Sequence, residues 1–312
     1  MVRLIEAAFI QREVGDERWG NGMRRAGEIL EWLSLPELNP DRLPIRLLAA
    51  SAYQLAGYPA RASGLLKEDA IEGIESRILV SLLKADFVSL LQQLSQYWSR
   101  VHSLTQQETE PPSESPDNIS PQLHELIVKE TASCLGIICA SMRWGSEPRT
   151  RPAIEKLAAI GKIMLHGDDP YSWLLSKLCT EVASTYLESA MRNHLLRLNE
   201  ELSDTGRTAI ERYLRQSYLR GRVLAWPSQI RGIERLLTNE SFALCTPTGS
   251  GKTTVAELAI LQNLFSQTNV GELSNTAPLA LYLVPSRALA TEVEANLSRV
   301  MRNSAPPTQQ VV

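Results

Sequence analysis

Residues 246–253 read Thr-Pro-Thr-Gly-Ser-Gly-Lys-Thr, directly after the apolar run SFALCT and directly before the amphipathic run TVAELAILQNLF. A glycine-rich loop joining a strand to a helix in this order is a phosphate-binding loop, and it commits the surrounding chain to a parallel α/β unit. Gly249 and Gly251 let the backbone curl so that successive N–H groups point inward at phosphate oxygens. The first turn of the following helix adds its partial positive charge. Lys252 is expected to reach the β- and γ-phosphates as a point charge, and the Thr253 hydroxyl to ligate Mg²⁺. The general pattern opens with glycine, whereas Thr246 stands there in this chain. A second apolar run at 279–285, LALYLVP, completes a strand–helix–strand order.

The preceding two thirds of the chain have a different character. From residue 1 to about 205 apolar residues recur at helical spacing, as in Leu83, Phe87, Leu90, Leu91, Leu94 and Trp98 on one helix face. Ser120-Pro121 and Asp169-Pro170 each place an N-cap residue before a proline at the first helical position. Asp168 and Asp169 are read as helix-start carboxylates rather than a metal pair. Residues 105–121, polar, acidic and proline-rich, have the composition of a flexible loop. Residues 47–66 resemble one tetratricopeptide-type helical hairpin turning at Gly57, with no second copy at a fixed period. The expected fold class is therefore α + α/β: an all-helical region over 1–205 and an incomplete P-loop parallel-sheet domain over 206–312.

With 312 residues and 44% hydrophobic content the chain can bury a substantial core, and its net charge of −3 confines any nucleic-acid contact to a local surface. Cys134, Cys139, Cys179 and Cys245 sit in apolar stretches without metal-ligand spacing and are expected as buried thiols in a reducing, cytoplasmic setting. No stretch reaches the length of about 18 apolar residues that spans a bilayer.

A phosphate loop alone leaves kinases, GTPases, transport ATPases and motor ATPases open. Upstream, Trp226-Pro227-Ser228-Gln229 precedes a short amphipathic helix; downstream, Val284-Pro285-Ser286-Arg287-Ala288-Leu289-Ala290 leads into a helix expected near Thr291. In this order the three segments resemble the superfamily two DExD/H-box helicases, most closely the processive DExH branch, over roughly residues 222–300. The resemblance implies that the incomplete P-loop parallel-sheet domain over 206–312 is RecA-like, with ATP and Mg²⁺ as cofactors and DNA or RNA as the track. It implies that Gln229 reads the adenine edge, that Thr246, Pro247, Thr248, Gly249, Ser250, Gly251, Lys252, Thr253 and Thr254 hold the nucleotide, with Lys252 and Thr253 catalytic, and that Pro285, Ser286, Arg287 and Leu289 hold the nucleic-acid backbone. An aromatic residue upstream of the glutamine often stacks on adenine in this family, and Tyr213, Tyr218 and Trp226 are all available. The run ERYLRQSYLRGR, with Arg212, Arg215, Arg220 and Arg222, is either a nucleic-acid contact or a solvated helix face.

Past Val300 no D-E-x-x box follows, so the carboxylates that hold Mg²⁺ and orient the attacking water are not in this sequence. The expectation is the N-terminal part of a longer motor, inactive alone, whose unfinished sheet exposes an apolar edge. A helical partner-binding scaffold with a remnant or regulatory nucleotide-binding half-domain is the alternative, and an unrelated P-loop ATPase a third. Under either of the first two readings the helical region is a candidate surface for a protein partner. Multi-domain helicases of bacterial genome maintenance and phage defence have comparable layouts, a resemblance of architecture alone.

Overall fold

The computed structural model describes residues 1–35, 37–38, 43–67, 73–107, 119–145, 148–166, 170–200, 202–238, 241–246, 251–265 and 279–305. The chain divides into two compact units, residues 1–141 with 145–187, and residues 142–144 with 188–312. No helix among the described residues is long and apolar enough to cross a membrane.

The first unit is built from α1 (Val2–Glu13), α2 (Trp19–Leu33), α3 (Leu43–Leu55), α4 (Pro59–Leu65), α5 (Ile74–Leu83), α6 (Phe87–Gln107), α7 (Ile119–Trp144), α8 (Thr150–Met164) and α9 (Pro170–Glu188). Helices α1, α3 and α5 end in the same turn. Gly15, Gly57 and Ala85 each adopt positive φ two residues past the last helical residue, at 74°, 82° and 54°. In each case the next N–H reaches back five residues: Asp16 to Gln11, Tyr58 to Tyr53 and Asp86 to Ser81, at 2.9, 2.8 and 3.0 Å. This 6→1 bond satisfies a carbonyl that the helix end leaves unpaired. The expected hairpin at 47–66 is thus α3–α4, and its turn recurs in α1–α2 and α5–α6. Uneven spacing of the turns hid the recurrence from a search for a fixed period.

Close packing of α2 on α3 follows from Gly27, where an added Cβ would lie 2.9 Å from the Tyr53 ring. Tyr53 is fully buried, its hydroxyl donates to Glu31 Oε2 at 2.5 Å, and the Arg61 guanidinium lies 4.6 Å from its ring centre. In α6 the buried face is Phe87, Leu90, Leu94 and Tyr97. Leu83 belongs to the preceding helix, beyond the turn at Ala85, and Trp98 is 39% exposed, so the expected stripe is shifted at both ends. Helix α7 begins at Ile119, which puts Pro121 in a first turn that needs no N–H from it. Residues 108–118 and Asp168 and Asp169 lie outside the described residues.

Cys134, Cys139 and Cys179 are buried as expected, and burial pushes the Cys139 and Cys179 thiols up to about 12. Cys245 is exposed, on a segment that joins no sheet among the described residues.

The second unit contains α10 (Met191–Leu195), a 3₁₀ turn (Leu196–Glu200), α11 (Asp204–Leu219), α12 (Pro227–Leu236), α13 (Lys252–Phe265) and α14 (Arg287–Ser304). Met191, Leu195, Leu198 and Leu202, assigned to the helical region by sequence character, pack in this unit's core with Ile210, Tyr213, Ile233, Leu258, Leu261 and Val300. Helix α13 packs against α11, α12 and α14.

The parallel sheet expected from residues 241–246 and 279–285 is not formed among the described residues, which hold one isolated antiparallel bridge, Ala190 to Leu224. Leu279, Leu281 and Leu283 are 86%, 80% and 81% exposed. A parallel strand is stable when neighbours flank it and helices cover both faces. These segments have no such neighbours among the described residues, so their backbone stays out of a ladder.

Candidate nucleotide site

The site is assembled around the start of α13. Trp226, in extended conformation, caps α12, and Pro227 occupies the first helical position, where its fixed φ suits a helix start. Gln229, at the third position, folds back so that its Oε1 accepts the Trp226 N–H at 2.8 Å. This places Gln229 in the interior at 5% exposure, with Nε2 directed at the Gly251 carbonyl 3.5 Å away. The same carbonyl accepts the Thr254 N–H at 3.0 Å and so begins α13.

Gly251 has two reasons to be glycine. Its φ is +83°, and an added Cβ would fall 2.0 Å from Gln229 Nε2 and 2.6 Å from its Cδ. A second glycine, Gly232, lets α12 approach α13 closely, since a Cβ there would lie 2.7 Å from Val255 Cγ2. The glutamine segment and the loop thus meet over a surface where neither glycine could carry a side chain.

Lys252 is the first residue of α13; it is exposed, and its ammonium donates to the Thr246 carbonyl at 2.5 Å. This bond joins the two ends of the loop, whose Pro247, Thr248, Gly249 and Ser250 lie outside the described residues. Thr253 is exposed and Thr254 is buried. Thr246, Gln229, Gly251 and Lys252 are therefore brought together at the start of α13.

Of the three candidate aromatics, Tyr213 and Tyr218 are buried at 2% and 3% exposure, and Trp226 is 50% exposed. The Tyr218 ring faces the Arg143 guanidinium at 5.7 Å. Tyr213 donates its hydroxyl to Glu257 Oε2 at 2.7 Å, and burial, followed by the Glu257 charge, pushes that phenol far above its ordinary range. The run 211–222 is therefore not a cationic face interleaved with open aromatic rings. Arg212 donates to the Ala305 carbonyl at 2.7 Å and Arg222 stands 3.9 Å from Glu257, while Arg215 and Arg220 are exposed.

Pro285, Ser286, Arg287 and Leu289 form a separate locus at the start of α14. The helix begins at Arg287, earlier than the Thr291 expected, because the Ser286 hydroxyl accepts the Leu289 N–H at 3.3 Å and caps it. Pro285, Ser286 and Arg287 are exposed, and Leu289 is 37% exposed. Sequence reasoning missed Glu257; its one signal is a carboxylate inside the apolar run TVAELAI. Among the described residues no group of three or more His, Cys, Asp or Glu is placed to hold a metal ion.

Residues 226–311 match the family model for DEAD/DEAH box helicase. Hachiman protein HamB of Bacillus cereus is 24% identical over 299 residues, which is 93% of this chain and 24% of that protein. ATP-dependent helicase Lhr-Core of Saccharolobus solfataricus is 33% identical over 107 residues, 34% of this chain and 12% of the relative. DExH-box ATP-dependent RNA helicase DExH12 of Arabidopsis thaliana is 41% identical over 69 residues, 22% of this chain and 3% of the relative. The chain spans a quarter or less of the length of these relatives. The family match opens at the Trp226 cap and takes in Gln229, the loop ends and the α14 locus, and residues 226–311 therefore belong to the DEAD/DEAH-box helicases, as an N-terminal portion of that domain.

Proposed function

We propose that the protein carrying this chain is an ATP-dependent helicase or translocase acting on DNA or RNA, to which these residues contribute ATP binding and part of the nucleic-acid contact. The observation that carries the reading is the joining of Gln229 to Gly251 and of Lys252 to Thr246, which gathers the Gln229 amide and the Lys252 ammonium at one helix start. ATP with Mg²⁺ fits this chemistry. Lys252 and Thr253 are exposed on the first turn of a long helix, and the Gly251 backbone approaches with no side chain in the way. A bound magnesium ion would offset the phosphate charge, with Lys252, now on the Thr246 carbonyl, the residue that would hold the phosphates and the Thr253 hydroxyl the one that would hold the ion.

Gln229 retains one lone pair on Oε1 and one N–H on Nε2 beyond the bonds described above, a donor–acceptor pair that matches the adenine amino group and N7. Trp226, with the open ring, is the proposed stacking partner. Ser286, Arg287 and the first N–H groups of α14 are proposed to hold nucleic-acid phosphates, with Pro285 and Leu289 shaping the turn. The likeness to HamB runs through both units, which supports an integral role for the helical unit. That role is proposed to be positioning the motor on a protein partner or on the track. In the intact native protein, Lys252→Ala is expected to abolish nucleic-acid-stimulated ATP hydrolysis, and an unchanged rate would sink the assignment.

A further inference from the structure

Helix α13 carries Lys252 at its first position and Glu257 at its sixth, and Glu257 is 3% exposed. A carboxylate in an apolar core is strongly disfavoured unless it is paired and hydrogen-bonded. Here Oε2 accepts the Tyr213 hydroxyl at 2.7 Å and Oε1 stands 3.9 Å from Arg222 Nη1, while Ser217 hydrogen-bonds the Tyr213 side chain. The group spans two elements: Tyr213 and Ser217 lie on α11, and Arg222 lies in the segment that runs on to Trp226 and Gln229.

A hydrophobic residue at 257 would fill the same core from a range of angles. A carboxylate with one directional partner in Tyr213 and a guanidinium charge beside it favours one, because turning α13 by a single residue swings position 257 by about 100° and takes it away from both. The segment 222–229 meets this part of the chain at two points: Gln229 on Gly251, the residue before α13, and Arg222 near Glu257 within it.

We infer that Glu257 is a positioning residue: through Tyr213 and Arg222 it holds the segment bearing Trp226 and Gln229 at the distance from Lys252 that one nucleotide spans between base and phosphates. The inference rests on the ATP reading above. Loosening the anchor lets the base-reading end drift while Lys252 and Thr253 keep their place on the helix. Base affinity therefore suffers and the phosphate chemistry does not.

The test is steady-state kinetics of the intact native protein with ATP and with GTP, beside thermal unfolding. Glu257→Gln keeps an acceptor for Tyr213 and removes the charge facing Arg222. It is expected to raise KM for ATP about tenfold, to leave kcat within about twofold, and to shrink the preference for ATP over GTP. Arg222→Met, at a side chain 52% exposed, is expected to move KM and preference the same way by a smaller factor without disturbing the core. The role is overturned if both variants keep wild-type KM and preference, or if kcat falls together with the unfolding temperature while KM and preference stay fixed. A wild-type protein that turns over no ATP, or a Lys252→Ala variant that turns it over normally, overturns the ATP reading and this inference with it. Turnover abolished by Lys252→Ala but wild-type KM in both new variants overturns the role of Glu257 alone.

Discussion

Replacing Gly251 with alanine tests the meeting of the glutamine segment with the end of the loop ahead of α13. Two separable penalties arise at one atom. The backbone holds φ at +83°, and a left-handed conformation costs a residue with a Cβ about 1–2 kcal/mol. The new Cβ would also stand 2.0 Å from Gln229 Nε2, a distance no contact tolerates, so the amide must leave. Its departure frees the Trp226 N–H from the 2.8 Å bond that caps α12, a loss of about 1 kcal/mol. Together these come to about 2–3 kcal/mol, which as a loss of nucleotide affinity is a factor of about 30–150. Calorimetric titration of the intact protein with ATP measures the factor, and thermal unfolding shows how much falls on the fold instead. Repeating Gly251→Ala in a Gln229→Ala background removes the steric and capping parts, so the second cost is expected to drop to the backbone part of about 1–2 kcal/mol. Gly251→Ala binding ATP within about twofold of wild type with an unchanged unfolding temperature would refute the reasoning.

Ala85 holds φ of 54° in a turn where Gly15 and Gly57 do the same work, so Ala85→Gly is expected to stabilise the helical unit by about 0.5–1 kcal/mol, read from the denaturation midpoint. Gly232→Ala drives a methyl against Val255 Cγ2, 2.7 Å away, and is expected to cost about 1–3 kcal/mol, most of it recovered by adding Val255→Ala. Burial pushes the Cys139 and Cys179 thiols up to about 12, so their thiolates form only near and above that pH. Both are expected to stay unlabelled by maleimide at neutral pH in the native fold and to react once the chain is unfolded, which mass spectrometry of the labelled peptides distinguishes.

The local rules worked where the information is local. Helical periodicity, proline at helix starts and the loop pattern each read a window of a few residues, and they located α9, α12 and α13 and the loop ends. The reading failed where a neighbour decides. Leu281 and Leu283 carry every mark of a strand, yet the run stays outside any ladder among the described residues because a strand takes its stability from partners. Trp98 sits on the apolar stripe of α6 and faces outward, while Tyr97 turns in against the core. Tyr213, one of three rings the sequence left open as a base-stacking partner, is the hydrogen-bond donor to a buried carboxylate.

Sequence by itself determined the Thr-Pro-Thr-Gly-Ser-Gly-Lys-Thr pattern and its order with the glutamine and P-S-R-A-L-A segments, because such a pattern is a matter of residue types at fixed local spacing. Tertiary structure alone decided that Gln229 rests on Gly251, 22 residues away, that Tyr213 holds Glu257 across 44 residues, and that Trp226 has the open ring. Those contacts depend on how closely helices approach and at what angle. That is a matter of side-chain volume at crossing points such as Gly232 and Val255, which no single stretch of sequence encodes.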